Sequence, residues 1–226
     1  MRQITGIGRV ARRALADYRR NWLMLVGVNA LWAVATLTVF FAPLALFGLF
    51  YVANLAAHKR QVEFNDAFRG ARMYLVKSLQ WGALNLIAGV LFWGNFALYP
   101  RFAGQLAAPL VVVTLALLIA WVCVQFYTVP YLLEMEKPSL RVALRNGAFT
   151  ALASPVLTLG LMGIVLLMVL LCAVQPVVIF VGMGALIALI ANHALLERLE
   201  AFGLRTPETG TAQAAEADDP LLRDEK

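Results

Sequence analysis

Val156–Val174, VLTLGLMGIVLLMVLLCAV, holds seven Leu, four Val and one Ile and not a single charge. Each of those aliphatic residues favours insertion into a bilayer by roughly 0.3–0.6 kcal/mol, so the stretch sums to on the order of 4–7 kcal/mol. A span needs about 20 apolar residues, because the hydrocarbon core is about 30 Å thick and a helix rises about 1.5 Å per residue. A soluble helix of this length would show a polar face within every turn or two, and this one has none. The stretch reads as a transmembrane α-helix.

The same pattern recurs outward from it. Of the 226 residues, 62% are hydrophobic and 14% charged, against roughly 45–50% and 25% in soluble domains. No charge falls in 21–57, 78–100, 102–133 or 146–196. Six spans follow, at about 22–42, 44–60, 80–99, 107–130, 155–174 and 176–195, with Pro43, Pro100, Pro155 and Pro176 at boundaries, where a missing N–H costs least. The second span is the shortest, and a re-entrant hairpin there would return the chain to the same side. The predicted fold is an all-α, polytopic transmembrane helix bundle, divided into a basic N-terminal helix (1–21), a membrane domain (22–202) and a disordered acidic tail (203–226).

Orientation follows from the basic residues. Eighteen Lys and Arg lie in the segments that six spans place on one side, and Arg101 alone on the other. This asymmetry predicts a multi-pass membrane protein with both termini cytoplasmic. The net charge of +6 sits beside the spans, where it orients them and meets anionic lipid, so it does not point to nucleic acid. The N-terminal arginines followed by a long apolar run, without a small-residue cleavage site, read as an uncleaved first span. Cys123 and Cys172 lie in apolar segments and read as reduced packing residues.

Three basic segments lead into the span pairs, and each has helical amphipathicity. The first sets Ile7, Val10, Ala11, Ala14, Leu15 and Tyr18 against Arg9, Arg12, Arg13 and Arg20. The second, 64–78, has Asn65 as its expected N-cap and sets Phe68, Ala71, Tyr74 and Leu75 against Asp66, Arg69 and Lys77. The third, 138–153, sets Leu140, Ala143, Leu144 and Phe149 against Arg141 and Arg145. Helices of this kind lie in the interface plane, so Arg12, Arg13, Arg69, Arg72, Arg141 and Arg145 are candidate contacts to lipid head groups. Aligning Arg13, Arg69 and Arg145 makes the three segments a weak internal repeat.

Several of these stretches together resemble the YesL-like family of bacterial integral membrane proteins, a family of unknown function. The resemblance covers residues 21–202. It rests on Asn29-Ala-Leu-Trp32, on the Pro43 turn followed by Ala45-Leu-Phe47, and on Phe64-Asn-Asp-Ala-Phe68. More specific are Val129-Pro-Tyr-Leu-Leu-Glu134 and Ser139-Leu-Arg-Val-Ala-Leu-Arg-Asn146 leading to Ser154-Pro155. The resemblance implies a polytopic fold and, because genes of such proteins neighbour sugar-uptake transporters, a carbohydrate-transport accessory role with transporter subunits as partners. The strongly basic first segment and the acidic tail depart from the family pattern.

The sequence offers no catalytic constellation: no HExxH, GxSxG, CxxC or phosphate loop is present, and neither a metal nor a cofactor is expected. Glu134 and Glu136 precede Lys137, Arg141 and Arg145, which predicts local pairing. His193 reads as a lone histidine without a carboxylate partner, an interfacial hydrogen-bonding residue rather than a proton relay. The polar residues within the spans are amides, and Asn29, Asn54, Asn85, Asn95, Gln125, Gln175 and Asn192, with His193, are the candidate intramembrane polar contacts. They serve either as interhelical glue or as the lining of a groove for a neutral polar solute. The first option favours a non-enzymatic accessory or scaffold, the second a small transporter or permease subunit.

Overall fold

The computed structural model describes residues 2–38, 40–102, 104–180 and 182–204. Met1 and residues 205–226, including nearly all of the expected acidic tail, lie outside the described residues. The described chain is an all-α bundle: α1 (Arg2–Arg20), α2 (Trp22–Thr36), α3 (Ala42–Ala57), α4 (Phe64–Met73), α5 (Leu75–Phe102), α6 (Ala107–Glu134), α7 (Leu140–Ala153), α8 (Pro155–Val174) and α9 (Met183–Ala201). Single 3-10 turns, Gly104–Leu106 and Pro176–Ile179, precede α6 and α9. The basic helices α1, α4 and α7 each lead directly into an apolar pair, α2–α3, α5–α6 and α8–α9.

Among the described residues three segments are long and apolar enough to cross a membrane: Leu75–Arg101, Gly104–Glu134 and Pro155–Val174. Their outer faces carry bare apolar side chains such as Leu86, Val90, Trp93, Leu117, Leu167 and Leu170. Apolar surface this continuous needs hydrocarbon rather than water around it.

The remaining span boundaries differ from the expected ones, for physical reasons. The first two candidates, 22–42 and 44–60, become helices of 15 and 16 residues. Those rise only about 22–24 Å, short of a hydrocarbon core of about 30 Å. The break falls at residues 37–41, just before Pro43 in the first turn of α3, where the missing N–H is harmless. The fourth candidate ended at Pro130, yet α6 runs on to Glu134 with Pro130 inside it. The third extends to Phe102 through Pro100. The expected helix 64–78 divides at Tyr74, whose ring packs between Phe47 and Tyr51. The N-cap of α4 is Glu63, not Asn65, and Asp66 Oδ2 accepts the Glu63 N–H at 2.9 Å.

The sixth candidate, 176–195, changes most. Its first residues form a 3-10 turn, Gly182 breaks the backbone at φ 114°, and α9 then runs to Ala201. Nearly every residue of α9 from Met183 to Arg198 is buried. α1, α2, α3, α6 and α8 all pack on it, so it is the axis of the bundle. The N-terminal helix differs in a related way. Expected on the membrane surface, α1 instead docks its stripe on α8 and α9 and fully buries Val10 and Ala14.

Candidate functional site

At the basic end of the bundle four helices bring their polar residues into one ring. α1 contributes Asp17, which follows Val10 and Ala14 at helical spacing and so shares their buried face; its carboxylate is buried. Asp17 Oδ2 meets His193 Nε2 of α9 at 2.8 Å, and Oδ1 accepts from Lys59 Nζ at the end of α3. Asn192, beside His193, accepts from Asn54 Nδ2 of α3 at 3.1 Å. The same amide nitrogen donates to Glu134 Oε1 of α6 at 2.7 Å. His58, one turn after Asn54, closes the ring with Nε2 at 3.4 Å from Glu134. Both histidines of the chain are therefore in the ring, each facing a carboxylate.

The electrostatics are unusual for the end of an apolar bundle. Two carboxylates, Asp17 and Glu134, face the ammonium of Lys59 and the two imidazoles. His58 Nδ1 lies 2.9 Å from the Asn54 carbonyl while Nε2 faces Glu134. Burial by itself would raise the pKa of Asp17; hydrogen bonds from His193 and Lys59, with their charges, outweigh it and hold the carboxyl below the usual carboxylate range.

A second ionic patch continues from the ring along α9. Glu197, one turn beyond His193, accepts from Arg9 of α1 at 2.7 Å, and Arg198 donates to Ser154 Oγ, at the α7–α8 junction, at 2.8 Å. Arg13 approaches Glu200 at 3.6 Å.

The other expected intramembrane contacts resolve individually. Asn29 of α2 caps a different helix: its Oδ1 accepts the Ala185 N–H in the first turn of α9 at 3.0 Å, and its Nδ2 donates to the Ile179 carbonyl at 2.6 Å. Gly184 makes room for it, since a Cβ there would lie 2.8 Å from Asn29 Oδ1 and from the Trp32 ring. Asn85 and Gln125 pin α5 to α6. Trp81 Nε1 donates to Gln125 Oε1 at 2.7 Å and Trp121 Nε1 to Asn85 Oδ1 at 3.2 Å. Asn192 also bonds the Ala188 carbonyl of its own helix at 2.8 Å. Asn95 is half-buried in α5 and Gln175 is exposed at the end of α8; neither joins the ring. Of the expected lipid-contacting arginines, Arg13 is drawn to Glu200 and Arg69 stands 3.8 Å from Asp66. Arg12, Arg72, Arg141 and Arg145 are exposed.

Two expectations are corrected. His193 has a carboxylate partner after all, supplied by Asp17 from 176 residues away. Glu134, expected to pair with its neighbours in sequence, is engaged by Asn54 and His58 of α3. Sequence reasoning missed Asp17, His58, Glu197 and Arg198. Asp17 carried a readable signal, a carboxylate in the middle of an apolar stripe. Among the described residues no group of three or more His, Cys, Asp or Glu is placed to hold a metal ion. No family model, curated protein or solved structure matches the chain.

Proposed function

We propose that this chain is a non-enzymatic accessory or scaffold protein of the bacterial cell membrane, with both termini cytoplasmic, serving a carbohydrate-uptake system. One observation carries the non-transport part of that reading: most amides of the apolar helices are spent on other protein groups. Asn29, Asn54, Asn85, Gln125 and Asn192 all hydrogen-bond to other segments of the bundle, which makes them glue between helices rather than the wall of a sugar pathway. The carbohydrate part rests on the YesL-like resemblance. The orientation rests on the excess of Lys and Arg at one end.

Solubilising native membranes in mild detergent and capturing the tagged chain tests this. Subunits of a sugar transporter should co-purify in stoichiometric amounts, and isolation of the chain alone would overturn the reading. The alternative, a small transporter for a neutral polar solute, draws support from the ring, because ionisable residues within membrane helices commonly serve ion or proton movement. It requires labelled-sugar uptake by liposomes holding this chain only.

A further inference from the structure

The basic helix α4 crosses the α2–α3 pair, and the three helices enclose a groove of about 320 Å³. Val28 and Trp32 of α2, Leu44 and Gly48 of α3, and Phe68 and Ala71 of α4 form its walls. These side chains are aliphatic or aromatic, so the groove offers nothing for a sugar or an ion to hydrogen-bond and suits a hydrocarbon chain. It lies away from the ring, whose residues take no part in its lining.

The edge of the groove is cationic. Arg72 follows Ala71 directly and stands one turn beyond Phe68, so it emerges on the side of α4 that faces the groove. Arg72 is exposed and forms no ion pair among the described residues. Arg69, one turn earlier, is 72% exposed, and its carboxylate partner Asp66 is as distant as 3.8 Å. One guanidinium group flanking an apolar slot, with a second one turn away on the outer side of α4, complements a lipid with a negatively charged head.

We propose that the groove holds an acyl chain of an anionic phospholipid whose phosphate is bound by Arg72 with Arg69. The occupant is a lipid from the surrounding leaflet rather than a second copy of this chain, because a lipid joins a hydrocarbon tail, for the apolar slot, to a phosphate, for the guanidinium groups. The site is independent of any transport role.

Trp32 in the groove wall provides the readout. The full chain is reconstituted into phosphatidylcholine vesicles containing either phosphatidylglycerol or phosphatidylcholine with brominated acyl chains, which quench indole fluorescence on contact. The quenching at Trp32 is the part of the signal that Trp32→Phe removes. Brominated phosphatidylglycerol should reach half-maximal quenching of Trp32 at a mole fraction roughly 5- to 30-fold lower than brominated phosphatidylcholine, the range expected of one to two arginine contacts. The Arg69→Gln, Arg72→Gln double variant should lose that preference while keeping the quenching itself. Equal quenching by the two lipids in the unaltered protein would reduce the groove to ordinary lipid contact and overturn the proposal. Protection of Trp32 from both lipids would also overturn it, assigning the groove to a protein helix. The comparison in the unaltered protein decides even if the double variant does not fold.

Discussion

Asp17 occupies a position where the spacing of Val10 and Ala14 would have put another apolar side chain, and it is 2% exposed. Replacing it with Ala leaves His193 facing a void and Lys59 without its carboxylate. Breaking a buried pair from one side costs about 3–5 kcal/mol. The lower end applies here, because the Lys59 side chain is half exposed and water can reclaim it. Thermal unfolding in detergent should register that loss. The pH dependence has a definite sign: since folding lowers the pKa of Asp17, its contribution is complete above the ordinary carboxylate range and disappears as pH falls through the lowered value. Asp17→Asn should therefore flatten the acid limb of a stability–pH profile and leave the neutral region flat. At the opposite end of α9, Asn29→Ala strips the buried Ala185 N–H of its acceptor and the Ile179 carbonyl of its donor. The expected loss is about 1–3 kcal/mol, read as a lower melting temperature with secondary structure intact. Neither contact was visible in the sequence. Composition gives the polar residues of each span but not the long-range pairings, and Asn29 looked like any other amide in a greasy run.

At the level of elements, the helices that sequence periodicity located best were those whose surroundings are uniform. α8 falls within a residue of the expected span because lipid and apolar neighbours impose the same demand along its length. α2, α3 and α9 fit less well, since protein packing decides their ends. α3 stops where the ring requires Asn54, His58 and Lys59, and α9 starts where Asn29 supplies a cap. The crossing of α4 over α3 depends on two close approaches. A Cβ at Gly48 would come within 2.5 Å of the Ala67 carbonyl oxygen, and one at Gly70 within 2.5 Å of Tyr51. Backbone cannot yield as a flexible side chain does, so Gly48→Ala should push α4 outward at a cost of about 1–3 kcal/mol. Hydrogen exchange of the α4 amides should then speed up while that of α8 stays as it was. Unchanged protection across α4 would refute the crossing.

For the molecule as a whole, two kinds of surface divide the labour. Around the long helices α5, α6 and α8 the side chains are apolar and bare; at the basic end charges converge on one another and on the interior. The membrane character was readable from the charge-free runs alone, because the hydrocarbon core penalises any interruption. The ring was not, because the positive-inside pattern counts charges per segment and says nothing of which ones turn inward. Asp17, Glu134 and Glu197 are few among many basic residues, and only the fold distinguishes them from solvated neighbours. Glu134→Gln should test their collective role: it keeps the Asn54 contact but removes the charge facing His58, and should lower the melting temperature in detergent by the equivalent of about 1–3 kcal/mol. An unchanged melting temperature would separate His58 from Glu134.

The central position of α9 sets the order in which this protein is assembled. The helix that the others surround leaves the ribosome after all of them, and Asp17 waits for His193 while 176 residues are translated. At roughly 5–20 residues per second that interval is about 9–35 s. Through most of it Asp17 has Lys59 but not His193, and Arg9 and Arg13 wait for Glu197 and Glu200. Chains arrested at residue 180 should therefore be cleared by membrane proteases, whereas chains arrested after α9 has entered the bilayer should persist.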